Sequence, residues 1–264
     1  MIRHPAVAGA FYPAEAGILR ETVAALVPAS VPEAAGEIPK ALIVPHAGWI
    51  YSGGVAGAAY ARLRPLAGVV RRVVLLGPVH RVPVRGLALP EADVFATPLG
   101  EIPVDAEARR LLAPLPQVVV DGAAHALEHA LEVQLPFLQS VLSDFTLVPL
   151  AVGDASVAEV AEVLEILWGG PETLIVVSSD LSHYLPYAAA EARDRDTVER
   201  ILRGELLASH EQACGALPID GLLAAARRHR LTPKLLARCN SGDTAGDRRR
   251  VVGYAAIEFT EPAD

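Results

Sequence analysis

The chain is poor in sulfur. Two cysteines, Cys214 and Cys239, stand in 264 residues, too few for a disulfide framework, so in a reducing compartment each reads as a buried thiol or as a ligand in need of partners. Long hydrophobic runs are missing as well: no apolar stretch approaches the roughly 20 residues that span a bilayer, and no membrane association is expected. The opening stretch MIRHPAVAGAFYPAEAG lacks the charged, apolar and cleavage regions of a secretory signal, which points to the cytoplasm. Nor is positive charge in excess. With 23 basic against 31 acidic residues and a formal charge of -8, nothing draws the whole chain to a phosphate backbone, and nucleic acid is not an expected partner. The local basic runs RRHR at 227–230 and RRR at 248–250 read as solvated surface. Internal repeats and low-complexity tracts are absent too.

A hydrophobic content of 52% over this length is ample for one large core, and no boundary divides 1–264, which reads as a single domain. Apolar runs predict strands at Ala41–Val44, Val73–Leu76, Leu147–Val152, Leu174–Val177 and Val251–Phe259. Between them, amphipathic segments predict helices at Val55–Leu63, Ala106–Leu112, Leu127–Leu142, Val157–Leu167, Ala188–Leu202 and Gly221–Arg228. This alternation implies a three-layer α/β/α fold around a central mixed, largely parallel sheet. The Pro- and Gly-rich stretch 85–104 reads as an edge hairpin, and PASVPEAAGEIP at 28–39 as a surface loop.

Chemistry gathers where the strands end. VPHAGWIYSG at 45–54 stops a buried strand on His46, and its Gly48, Gly53 and Gly54 suit a turn or a close backbone approach. RRVVLLGPVHR leaves His80 just past its run, and TLIVVSSDLSHY leaves Ser178, Ser179, Asp180 and His183 there. In open α/β sheets ligands bind outside the carboxyl ends of the strands. One histidine after a strand is more often a turn residue; three such events favour a shared metal or acid/base site.

HALEHALEVQLPFLQ, from His125, offers a further cluster. On one helix, His125, Glu128, His129 and Glu132 share a face beside an apolar stripe of Leu127, Leu131 and Leu135. HALEH also fits the H-x-x-E-H pattern of inverted zinc peptidases, in which His125 and His129 bind zinc and Glu128 activates water. A helix start whose acids and histidines bond locally explains the same letters. Both readings stand at this level.

Taken together, AGAFYPA, VPHAGWIYSG, GPVH, EHALEVQLPFLQ, SSDLSHY, CGALPI and SGD followed by VVGYAAI resemble, in order and over nearly the whole chain, the Memo family. Its prokaryotic members are called AmmeMemoRadiSam system protein B, a name that implies AMMECR1-like and radical-SAM protein partners. The family is similar in fold to the class III extradiol ring-cleavage dioxygenases, whose iron is held by two histidines and a glutamate. The resemblance implies that His46, His80 and Cys214 are metal ligands. It implies that His183 handles protons beside the metal with Asp180 next to it, and that His129 and Glu132 line the same cavity. One transition metal ion is expected, Fe(II) foremost, with zinc or copper suited to the softer thiolate.

The function implied is that of a metal-binding protein with an open His/His/Cys site, a dioxygenase-like oxidoreductase acting on a small substrate. The alternative is a non-catalytic metal- or peptide-binding module serving those partners. Asp180 and His183 favour chemistry, whereas a cysteine in place of the carboxylate favours the module, since a shared fold does not establish a shared activity. The inverted peptidase through His125, Glu128 and His129 becomes a minor alternative. Cys239 matches no ligand and reads as structural.

Overall fold

Runs such as KALIV, RVVLL and TLIVV carry β-branched and leucine side chains without polar alternation, the pattern of strands covered on both faces. The computed structural model describes residues 1–29, 38–207 and 209–261. Its strands are β1 (Ile2–Arg3), β2 (Pro39–Val44), β3 (Arg72–Pro78), β4 (Leu87–Leu89), β5 (Val94–Thr97) and β6 (Gly100–Pro103). They continue as β7 (Val118–Val120), β8 (Thr146–Val152), β9 (Thr173–Ser178), β10 (His183–Leu185), β11 (Thr232–Asn240) and β12 (Val251–Thr260). The helices are α1 (Ala16–Leu26), α2 (Trp49–Ala61), α3 (Ala106–Leu112) and α4 (Gly122–Ala126), then α5 (Leu135–Val141), α6 (Val157–Leu167), α7 (Tyr187–Leu202) and α8 (Ala216–Arg228).

A nine-stranded mixed sheet forms the middle layer. Its centre is parallel, with β9 between β2 and β3, and β3 beside β8. β4 enters antiparallel to β8 and carries β7 at one edge. On the other side β12 runs antiparallel to β2, β10 and β11. Alternate strand residues sort into two cores. Leu42, Val44, Val73, Leu75, Leu174 and Val176 face α1, α2 and α5; Ala41, Ile43, Val74, Leu76, Ile175 and Val177 face α6 and α8. Each Val, Leu or Ile among them contributes about 1.5–3 kcal/mol on leaving water. The expected three-layer α/β/α architecture is the one observed, as a single domain. Among the described residues no helix is long and apolar enough to cross a membrane.

Several local expectations change. The helix placed at Leu127–Leu142 is broken: α4 ends at Ala126, Glu132–Gln134 form one 3₁₀ turn, and α5 starts anew at Leu135. Pro136 sits at the start of α5, where its fixed φ suits a first turn, and its ring would clash with the carbonyl of residue 132 in a continuous helix. Leu127, assigned to the apolar stripe, is 65% exposed. Gly53 and Gly54 lie inside α2 rather than in a turn. Glycines on this helix serve contact with α1: a Cβ at Gly57 would sit 2.0 Å from the Leu26 carbonyl oxygen.

The edge hairpin expected at 85–104 is divided. Leu87–Leu89 enter the main sheet as β4, while β5 and β6 form the hairpin in a separate three-stranded sheet with β1. The loop expected at 28–39 falls largely on residues 30–37, outside the described residues, and Pro39 already belongs to β2. α1 and β11 had no counterpart in the expectations, because α1 buries only Leu19 and Val23 and β11 is mostly half-exposed.

Candidate metal centre

Because β2, β9 and β3 are parallel neighbours, their carboxyl ends open on one edge. His46 lies two residues past β2 and His80 two past β3. His46 is 2% exposed. Its backbone N–H donates to Asp180 Oδ1 at 2.7 Å, and its Nδ1 lies 3.0 Å from Ser178 Oγ. The single Ser178 hydroxyl proton goes to the Ala130 carbonyl at 2.6 Å, and Ser178 Oγ accepts from Gln134 Nε2 at 2.8 Å. Ser178 can therefore only accept from His46, so Nδ1 carries the proton and Nε2 keeps its lone pair.

His80 is fixed the same way by a carboxylate. Its backbone N–H and its Nδ1–H donate to Glu128 at 2.6 and 2.8 Å, which leaves Nε2 as the ring nitrogen free to meet a ligand. The His129 ring completes a triangle, with centroids 4.6 Å from His80 and 5.4 Å from His46, which are themselves 5.2 Å apart. One ligand nitrogen from each of the three lies within 4.8 Å of the others. His129 Nδ1 is buried with no hydrogen-bond partner, 3.3 Å from Glu128 Oε1.

Charge follows from burial. Loss of water, with His80 close by, holds His46 down to about 3. Loss of water, with His46 close by, holds His129 down to about 4. Both are neutral at neutral pH, as metal ligation by imidazole requires. Burial pushes the Glu128 carboxyl up, but hydrogen bonds from His80 and Ala130 outweigh it and hold the group down to about 2.

Cys214 precedes α8, and Gly215 allows its close approach, since a Cβ there would meet the Ser179 Cβ at 2.7 Å. Its Sγ lies 3.3 Å from His46 Nε2 and accepts the Asp180 N–H at 3.3 Å. Burial and the Asp180 carboxyl push the thiol up to about 12, so without a metal it is S–H. Cys214 stands beside His46 but outside the mutually close set of three imidazoles. Three imidazoles with a thiol alongside suit iron, zinc or copper among transition metals, and the orphaned His129 Nδ1 fits a group that takes a metal or a bound molecule.

His80, Cys214 and His183 open together onto a cavity of about 890 Å³, shared with Tyr184, Arg193 and His210. The His183 Nδ1–H donates to the Leu181 carbonyl at 2.9 Å. That carbonyl, not Asp180, orients the ring. The Asp180 carboxylate instead accepts the N–H groups of His46 and Ala47, and burial pushes its carboxyl up.

Two sequence expectations are corrected. Glu132 does not line this cavity: it is fully buried and accepts from Ala6 N, Val7 N and Tyr12 Oη at 2.7, 3.0 and 2.6 Å, while pairing with Arg3. His125 points elsewhere, its Nε2 donating to the Ala88 carbonyl at 2.8 Å and its ring edge-on to Phe95 at 5.9 Å. The helix break separates His125 from His129, so the inverted peptidase pair does not form. Glu128, singled out only for that peptidase, holds His80 instead. Its partner lies 48 residues away, and no local signal pairs the two. Cys239 sits half-buried in β11 opposite Tyr254, and both cysteines are free.

Residues 3–258 match the family described as Memo-like protein. A MEMO1 family protein of Aeropyrum pernix is 37% identical, with 97% of this chain and 99% of that one aligned. One of Aquifex aeolicus is 36% identical over 98% and 99%, and one of Methanococcoides burtonii 37% over 97% and 99%. The crystal structure of an uncharacterized Escherichia coli K12 protein superposes with a TM-score of 0.56 over 83% of this chain and 98% of that one. At 16% identity it speaks for the fold alone. The histidine-lined edge of the sheet thus sits in a chain matched along nearly its whole length, and the protein belongs to the Memo-like family.

Proposed function

We propose that this protein holds one transition metal ion, Fe(II) foremost, at the ends of β2 and β3, and uses it in dioxygenase-like oxidoreductase chemistry on a small substrate in the adjoining cavity. The observation that carries the reading is the triangle of His46, His80 and His129, with the Nδ1 atoms of His46 and His80 anchored to Ser178 and Glu128 and their Nε2 atoms left for a ligand. Two donor sets share His46 and His80. Cys214, next to His46 Nε2, completes one as a thiolate, and His129 completes the other. A bound ferrous ion supplies Lewis acidity and electrons for oxygen chemistry.

The chain's own residues do the rest. Ser178 and Glu128 orient two rings, Val79, Val84 and Val152 make part of the cavity wall apolar, and His183 exchanges a proton at Nε2 while Leu181 fixes Nδ1. The second reading, a metal- or peptide-binding module serving AMMECR1-like and radical-SAM partners, is favoured by one feature: a sulfur donor where a ferrous dioxygenase site has a carboxylate.

Anaerobic purification and metal analysis test the proposal. The wild type should carry about one ion per chain. His46→Ala and His80→Ala should lose it and His125→Ala should keep it, while Cys214→Ser and His129→Ala identify the third donor. Metal retained at wild-type levels in both His46→Ala and His80→Ala refutes the site. His183→Ala should keep the ion; oxidation of substrate lost in that variant supports catalysis, and unaltered partner binding with no turnover in any variant supports the module.

A further inference from the structure

The motif AGAFYPA at 8–14 supplies no metal ligand, yet it lies against the metal centre. Glu128 and His129 sit on the turn between α4 and α5, a stretch with few bonds of its own. Both ends of that stretch are gripped from the N-terminal segment. Arg3 Nε donates to the His125 carbonyl at 3.1 Å, Nη2 donates to the Glu128 carbonyl at 2.8 Å, and Nη1 pairs with the Glu132 carboxylate. Glu132 in turn collects Ala6 N, Val7 N and Tyr12 Oη. Between these anchors the Phe11 ring packs on His129 with centroids 4.8 Å apart, and the Phe11 carbonyl accepts the Trp49 N–H at 2.8 Å.

We infer that the N-terminal segment 3–12 is the positioning element of the metal centre: Arg3 and Tyr12, which bind Glu132, set the backbone that carries Glu128 and His129, and Phe11 sets the His129 ring. This rests on the metal-binding reading. The sheet places His46 and His80 directly, because each follows a central strand. It places neither His129 nor the carboxylate that orients the His80 ring, and the only buried cation spanning residues 125–132 among the described residues is Arg3. A guanidinium suits this work because its planar fork serves three acceptors at once, which a lysine ammonium on a flexible stem does not reproduce. Partners that orient metal ligands typically govern metal affinity by about 10- to 100-fold.

The test uses the full chain, stripped of metal and titrated with Co(II) against a chromophoric chelator, with thermal melts of the metal-free protein alongside. Arg3→Lys keeps the charge and loses the fork; Phe11→Leu keeps an apolar side chain and loses the ring. Both should bind Co(II) about 10- to 100-fold more weakly with shifted visible bands, under conditions where the metal-free variants remain folded. Wild-type affinity and wild-type bands in Phe11→Leu and Arg3→Lys overturn the inference, even if their melting temperatures fall, since the segment would then be structural only. Should Arg3→Lys fail to fold, Phe11→Leu decides by the same two outcomes. His46→Ala and His80→Ala serve as separate controls: if they bind Co(II) like the wild type, it is the metal reading that fails.

Discussion

Glutamine at position 128 keeps the shape of the side chain and removes its charge. In the wild type one carboxylate oxygen accepts the His80 N–H at 2.6 Å, and the other accepts the His80 Nδ1–H at 2.8 Å and the Ala130 N–H at 2.9 Å. Three donors thus meet an acceptor-only group, whereas an amide presents one oxygen and one NH₂. Keeping the oxygen toward the ring sets the NH₂ against the His80 N–H; the opposite orientation loses two bonds. At a site 2% exposed, losing one hydrogen bond to a charged group costs about 1.5–3 kcal/mol. Glu128→Gln should therefore destabilise the metal-free protein by about that amount, and weaken Zn(II) or Co(II) binding about 10- to 100-fold as His80 loses its anchor.

The same substitution carries a pH signature. The folded carboxyl is held down to about 2, against about 4.3 in the unfolded chain. A folded value below the unfolded one gives stability that is present in full above about pH 4.3 and is lost as the pH falls through the folded value. A difference of that size corresponds to roughly 3 kcal/mol at most. The stability gap between wild type and Glu128→Gln, measured by urea unfolding of the metal-free proteins, should shrink between pH 7 and pH 3. A gap that is absent at pH 7, together with unchanged metal affinity, would show that Glu128 does not hold His80.

Burial holds His125 down to about 4 against about 6.5 unfolded, so between those values the unfolded chain binds the extra proton and stability falls on acidification, by roughly 3 kcal/mol in all. His125→Gln should flatten that part of the urea-unfolding profile by about one proton; an unchanged slope refutes the buried neutral ring. Gly57→Ala drives a methyl into the Leu26 carbonyl and should cost about 1–3 kcal/mol by overpacking, read as a calorimetric midpoint several degrees lower; an unshifted midpoint means that α1 and α2 separate freely. Cys239→Ala should retain fold and metal, and the denatured wild type purified without reductant should titrate as two free thiols. A Cys214–Cys239 disulfide would contradict both statements.

The sequence by itself determined the layers and the edge where chemistry gathers. Short, uniformly apolar runs at 41–44, 73–76 and 174–177, β-branched and alternating with helical segments, read as strands buried on both faces, and such strands, joined by helices, run parallel and deliver His46, His80 and Asp180 to one rim. Residues just past a buried strand are legible as rim residues because the burial pattern is local. Which side chains meet across the rim is not. His129 joined the imidazole group, and Glu132 turned away from it, because the chain leaves the helix after Ala126 and resumes a regular helix only at Leu135, which changes the phase of the face that a continuous helix would present. Glu128 found His80 48 residues away, Glu132 found Arg3 129 residues away, and Cys214 reached His46 across 168. Buried carboxylates and thiols have no preferred partner in the local chain. They take the partners that packing of the whole molecule brings within hydrogen-bond reach, because leaving them unpaired in a low-dielectric interior costs more than any local preference can offset.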